Sequence, residues 1–179
     1  AAIAAAIHAT DVTTLPASLP VSGVRKTVGD LQARYEASGE SRPVFDLAIR
    51  WLFDHAPTEV EPARLVHGDY RHGNVIVGPD GVRAVLDWEI AHLGDPIEDL
   101  AWLCLPPWRF GLLDLPAGGL GTREALLQAY AQASGREVDP MRFRFWEMLG
   151  SLRWGVSCAG MLQWFRSGRD RTVERAMIA

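Results

Sequence analysis

The chain has 179 residues, of which 48% are hydrophobic and 22% charged. That is enough for one sizeable core and excludes a disordered chain. A net charge of −4 argues against a nucleic-acid surface, and no run approaches the ~18 apolar residues of a membrane span, so neither nucleic acid nor membrane is an expected partner.

Residues 1–9 are Ala-rich and suit the end of a helix. The chain opens without Met and inside this helical pattern, which reads as a piece of a longer protein. Pro16, Pro20 and Gly23 mark a connecting loop. Helices are predicted over 26–38, where Val28, Leu31 and Tyr35 share a face, and over 43–55, where Val44, Leu47, Ala48, Trp51 and Leu52 do. His8 and His55, near helix ends, read as surface residues. Pro62 to Val66 then leads into a polar cluster, His67 to Asn74. Val75-Ile-Val77 and Val82 to Leu86 flank Gly78-Pro-Asp-Gly81, a β-hairpin pattern. At the next helix start Asp95 can cap, Pro96 suits the first position and Glu98 can complete a capping box. That helix should end before Pro106-Pro107. Further helices are predicted over 123–134, closed by Gly135, and over 140–167. Gly118, Gly119 and Gly121 have no strand before them and read as a loop. The expected fold class is α+β, mostly α-helical, in a single domain: a helical lead-in over 1–66, a loop, hairpin and capped helix start over 67–99, and a helical part over 100–179. Cys104 and Cys158 read as small buried thiols in a reducing, cytoplasmic setting.

The segment from His67 to Asp99 carries the chemistry. With Gly78–Gly81 as the turn, Val77 faces Val82 and Asn74 lies opposite residue 85, two positions from Asp87. Strands rise about 3.3 Å per residue, and a one-residue bulge would bring the two closer. Both lie at the open end of the hairpin, beside the loop carrying Asp69. Oxygen ligands suit a hard cation: Mg²⁺ takes one or two protein oxygens, with phosphates and water completing its shell. Asp69 is left to orient or deprotonate a hydroxyl. The gap from Asp69 to Asn74 also matches the Asp-to-Asn spacing of a kinase catalytic loop.

Three blocks, HGDYRHGN, LDWE and GDPIEDLAW, occur here in order. They resemble the C-terminal lobe of the aminoglycoside phosphotransferase family, a branch of the protein-kinase-like fold, and are most similar to its acyl-CoA-dehydrogenase-associated branch. The resemblance extends over essentially the whole chain and implies an ATP- and Mg²⁺-dependent phosphotransferase acting on a small-molecule hydroxyl. It implies Asp69 as the catalytic carboxylate, Asn74 and Asp87 as metal ligands, and His67 as a brace of the catalytic loop. Asp95 would cap its helix, and Asp99 would bond backbone amides near the loop. The family's N-terminal lobe supplies a Gly-rich loop and a strand lysine, and neither is present. Lys26 is the sole lysine against 17 arginines, and it precedes a helix. The chain as given is therefore expected to be inactive alone.

Blander and rival readings stand beside these. Arg71 reaches a phosphate or an acidic partner, or is a surface residue. Trp88 packs or stacks on substrate, and Glu89 supports the metal or is simply exposed. Trp102, Trp146, Trp154 and Trp164 line core or pocket. The rival functions are a metal-dependent hydrolase using His67, Asp69 and His72, and a non-catalytic kinase-like binding module. Residues 100–179 hold seven acidic residues against ten arginines, which argues against a polycationic acceptor.

Overall fold

The computed structural model describes residues 1–58 and 62–178. The chain divides into two compact units, one of Ala1–Val24 with Pro57–Glu147, the other of Arg25–Ala56 with the residues from Met148 onward.

The first unit opens with α1 (Ala2–His8) and a short 3₁₀ turn at Val12–Thr14, capped by Asp11, whose side chain accepts from the Thr13 amide. Strand β1 (Arg64–Val66) leads into the loop of interest, which closes with a 3₁₀ turn at His72–Asn74. The hairpin follows as β2 (Val75–Gly78) and β3 (Gly81–Val85). Strand β4 (His92–Gly94) pairs antiparallel with β1, Leu65 opposite Leu93. This second ribbon is absent from the sequence reading, because three-residue strands are too short to show a two-residue alternation. Ser22 donates its amide to Leu93 and so ties the incoming chain to β4.

Helix α4 (Ile97–Leu103) begins as its sequence predicts. Asp95 Oδ1 accepts from the Ile97 amide at 3.0 Å, and Pro96 already has helical dihedrals. Asp95 is itself 3% exposed, and its other oxygen receives Arg142 Nε at 2.5 Å and Trp146 Nε1 at 2.6 Å. Those two donors come from α6 (Pro140–Ser167), so one carboxylate joins α4 to the start of the long helix. Helix α5 (Arg123–Ser134) has Thr122 as its cap and Gly135 in the left-handed conformation after it. Leu65, Val66, Leu100, Tyr130, Phe143 and Phe145 are buried between these elements.

The second unit contains α2 (Val24–Glu36) from Arg25 onward, α3 (Pro43–Asp54), the rest of α6, and α7 (Val173–Ile178). Ile49 and Leu52 are buried on α3, whereas Val44 and Leu47 are 67% and 66% exposed. The buried face is thus rotated from the one that the sequence suggests. Phe45 accounts for the rotation: its ring fills the space where a Cβ on Gly155 would stand, 2.8 Å away, and it meets Tyr35 edge-on.

One buried pair gives this fold a pH dependence. His92 Nδ1 meets the Ile90 carbonyl at 3.0 Å, and Nε2 lies 3.3 Å from Glu98 Oε2. Burial works against the charged imidazole, but Glu98, the Ile90 carbonyl and Asp99 outweigh it and raise the His92 pKa above its ordinary 6.5. A raised folded-state pKa stabilises the fold below the unfolded value, and that stabilisation is lost as pH rises through the folded value. The urea midpoint should therefore fall as pH is raised from about 6.5, and His92→Gln should flatten the trend.

Candidate active site

The loop between β1 and β2 is shaped by Asp99. Its Oδ2 accepts from the His67 amide and its Oδ1 from the Gly68 amide, both at 2.9 Å. Asp99 is fully buried, and two amides plus the His8 ring (Nε2 to Oδ2, 3.0 Å) compensate its charge. Gly68 has φ +84°, and a Cβ there would stand 2.9 Å from the Ile90 carbonyl, so only glycine fits.

His67 braces the same loop. Its Nδ1 accepts from the Asp69 amide at 3.2 Å, which leaves Nε2 to donate to the Leu86 carbonyl at 2.8 Å. Trp88 lies against it, ring centres 4.6 Å apart, and donates Nε1 to the Val85 carbonyl. Trp88 thus packs on His67 while remaining 39% exposed, and Glu89 is exposed.

Asp69 is held by three donors. Trp102 Nε1 reaches Oδ1 at 2.6 Å, Asn74 Nδ2 reaches Oδ2 at 2.8 Å, and Arg71 Nε lies 3.2 Å from both oxygens. The Arg71 guanidinium stands 4.9 Å over the Trp108 ring. Asn74 Nδ2 also donates to the Asp69 carbonyl at 2.9 Å. Two oxygens facing one nitrogen fix the amide orientation and turn Asn74 Oδ1 away as a free acceptor.

The hairpin brings Asp87 towards Asn74. Val77 pairs with Val82, the register shifts between Ile76 and Val77, and Val75 then pairs with Val85. The Leu86 amide donates to the Asn74 carbonyl at 2.8 Å, so Asp87 is one position from the residue facing Asn74. Asp87 has φ +67° and an exposed side chain. A non-glycine residue in that region is held there at a local cost of about 1 kcal/mol. Asn74 Oδ1 and the Asp87 carboxylate are hard oxygens at one end of a hairpin, a donor set that suits Mg²⁺ shared with phosphates. Among the described residues no three His, Cys, Asp or Glu side chains converge on a metal position. His67, one of the three residues of the hydrolase reading, has both ring nitrogens engaged.

Lys26 lies on α2 and pairs with Asp30 at 2.5 Å, both exposed. Gly118 and Gly119 take φ +64° and +75° in an irregular loop. Two contributors escape the sequence reading. His8 is not a surface residue: it is 4% exposed and joins Tyr130 (2.9 Å) to Asp99. Trp102 is a donor to Asp69 and not merely core. Its spacing from Asp99, three residues along one helix, places both on the face towards the loop and was the available signal.

An α+β, mostly helical chain with this loop and hairpin has the protein-kinase-like fold of the phosphotransferases. The model of the "Phosphotransferase enzyme family" matches residues 1–146, and the chain belongs to that family. It is 26% identical over 187 aligned positions to acyl-CoA dehydrogenase family member 11 of Mus musculus, covering 97% of this chain and 24% of that protein. It is 37% identical over 110 residues to member 10 of the same organism, covering 55% and 10% respectively. A Ralstonia eutropha JMP134 structure assigned to the aminoglycoside phosphotransferases superposes with a TM-score of 0.82 at 26% identity, over 99% of this chain and 58% of that one. The chain thus spans a quarter or less of the length of these curated relatives.

Proposed function

We propose that the protein to which this chain belongs moves the γ-phosphoryl group of ATP to a hydroxyl of a small molecule, with Mg²⁺ as cofactor. The observation that carries the reading is the Asp69 carboxylate, fixed by Trp102, Asn74 and Arg71, next to an Asn74 Oδ1 that accepts no hydrogen bond among the described residues. ATP and Mg²⁺, held in part by Asn74 and Asp87, supply the phosphoryl group and neutralise its charge. The chain's own residues do the positioning. Asp69 receives and aims the acceptor hydroxyl, and His67 and Asp99 keep the loop still. The long, shared Arg71 contact is the one that an arriving hydroxyl displaces, which frees the guanidinium for a phosphate oxygen. Cytoplasmic location belongs to the same reading.

The acceptor is a neutral or anionic hydroxylated metabolite, of which a hydroxyacyl thioester is the leading class. Arginines outnumber acids over 100–179. Phe110 lies 4.9 Å from the His72 ring, in a loop whose Leu112, Leu113 and Leu120 are exposed, so an apolar portion of the acceptor has a surface to rest on. A panel of hydroxyacyl thioesters, sugars and aminoglycosides, given to the complete protein with ATP and Mg²⁺ and followed by ADP release, tests this. Turnover is expected with the first class. No ADP release from any alcohol, with zinc or manganese found by elemental analysis, would point to the hydrolase.

Trp102→Phe keeps most of the packing and removes one hydrogen bond to a carboxylate. It should lower kcat about tenfold or more and leave the KM for ATP unchanged, as steady-state kinetics will show.

A further inference from the structure

Within the first unit, a cleft of about 240 Å³ lies among the end of α1, β1 and α5, lined by His8, Arg64, Tyr130, Ser134 and Arg136. Its polar groups are almost all cationic or already committed. Asp99, behind His8, has both oxygens taken by His67, Gly68 and His8. The Tyr130 hydroxyl bonds His8 Nδ1, and Ser134 Oγ donates to the Tyr130 carbonyl and accepts from the Arg136 amide. The two guanidinium groups differ from these. Arg64 Nε is buried with no hydrogen-bond partner, and among the described residues no carboxylate pairs with Arg64 or Arg136.

Four other arginines of this unit, none of them lining the cleft, are paired within it. Arg71 has Asp69, Arg109 and Arg123 share Glu147, and Arg142 has Asp95. A partly buried arginine with an orphaned donor is costly unless a counter-charge is supplied, and among the described residues no acid of the unit supplies it. Guanidinium forks match the planar or tetrahedral oxygens of carboxylate and phosphate. We propose that this cleft is a binding site for a small anion, a carboxylate or phosphate group held between Arg64 and Arg136. Its occupant lies against the Tyr130–His8–Asp99 chain that anchors the catalytic loop, and Arg64 is three residues before His67.

The test is calorimetric titration of the complete protein with inorganic phosphate and, separately, with acetate. Saturable binding of at least one probe is expected, and which of them binds assigns the phosphate or carboxylate class. Arg136→Gln, at an exposed position that should leave folding intact, should weaken that binding at least tenfold, and Arg64→Gln should abolish it. Should Arg64→Gln fail to fold, Arg136→Gln decides alone. Absence of saturable binding by both probes, or affinity unchanged in Arg136→Gln, would overturn the proposal.

Discussion

Asp69→Ala should lower the rate of phosphoryl transfer by about 10²- to 10⁴-fold, the usual contribution of a positioned proton acceptor, with little change in ATP affinity. The asymmetry follows from where Asp69 points its bonds. Its carboxylate is engaged by Trp102, Asn74 and Arg71, whereas the oxygens proposed to face Mg²⁺ are Asn74 Oδ1 and the Asp87 carboxylate, and the bond from Asn74 Nδ2 to the main-chain carbonyl of residue 69 survives the substitution. The substitution leaves three part-buried donors without their acceptor, so some loss of stability accompanies it, on the order of 1–3 kcal/mol. Rate and stability are therefore measured together: single-turnover transfer at saturating ATP, ATP binding by calorimetry, and the thermal midpoint. A variant that stays folded, binds ATP and keeps more than about a tenth of the rate would show that Asp69 is not the group that handles the hydroxyl.

Asn74 illustrates why much of this site could be read from sequence. The Gly78–Gly81 turn fixes the pairing of Val77 with Val82, and counting back from a tight turn gives the register up to the first bulge. The register shift after Val77 could only be anticipated as a possibility, yet it decides that Asn74 faces Leu86 rather than Val85. Helices α5 and α6 were equally legible, since Gly135 closes one of them and Pro140 opens the other. The hidden parts depend on contacts far apart in sequence. Nothing local distinguishes a histidine at the end of an Ala-rich helix from a solvated one, and His8 becomes a buried partner only because Asp99 and Tyr130 are brought to it from 91 and 122 positions away. The β1–β4 ribbon is hidden for the same reason: its two strands have three residues each and are stabilised by pairing with one another. The role of Trp102 lay between these cases, visible as a helix-face relation to Asp99 but not as a bond to Asp69.

The second large effect is expected at Asp99. Asp99→Ala removes the acceptor of the His67 and Gly68 amides and of His8 Nε2, three donors on buried residues. Each orphaned buried donor costs about 1–3 kcal/mol, so a loss of at least about 3 kcal/mol in unfolding free energy is expected, enough to unfold a marginal domain. His8→Ala should cost less, because Asp99 keeps both amide bonds and loses only one of its three donors. Asp99→Asn should fall between the two: an amide oxygen can accept from one backbone N–H, but its NH₂ group then faces the other. The order Ala at 99, then Asn at 99, then Ala at 8, read from urea midpoints, tests whether Asp99 acts through the loop amides. Equal losses for Asp99→Asn and His8→Ala would instead place the stabilisation in the His8 contact. If the amides carry it, Asp99→Asn protein that remains folded in the cold should still transfer phosphate poorly. With one amide tether gone, the left-handed Gly68 no longer holds Asp69 where Trp102 and Asn74 can fix it.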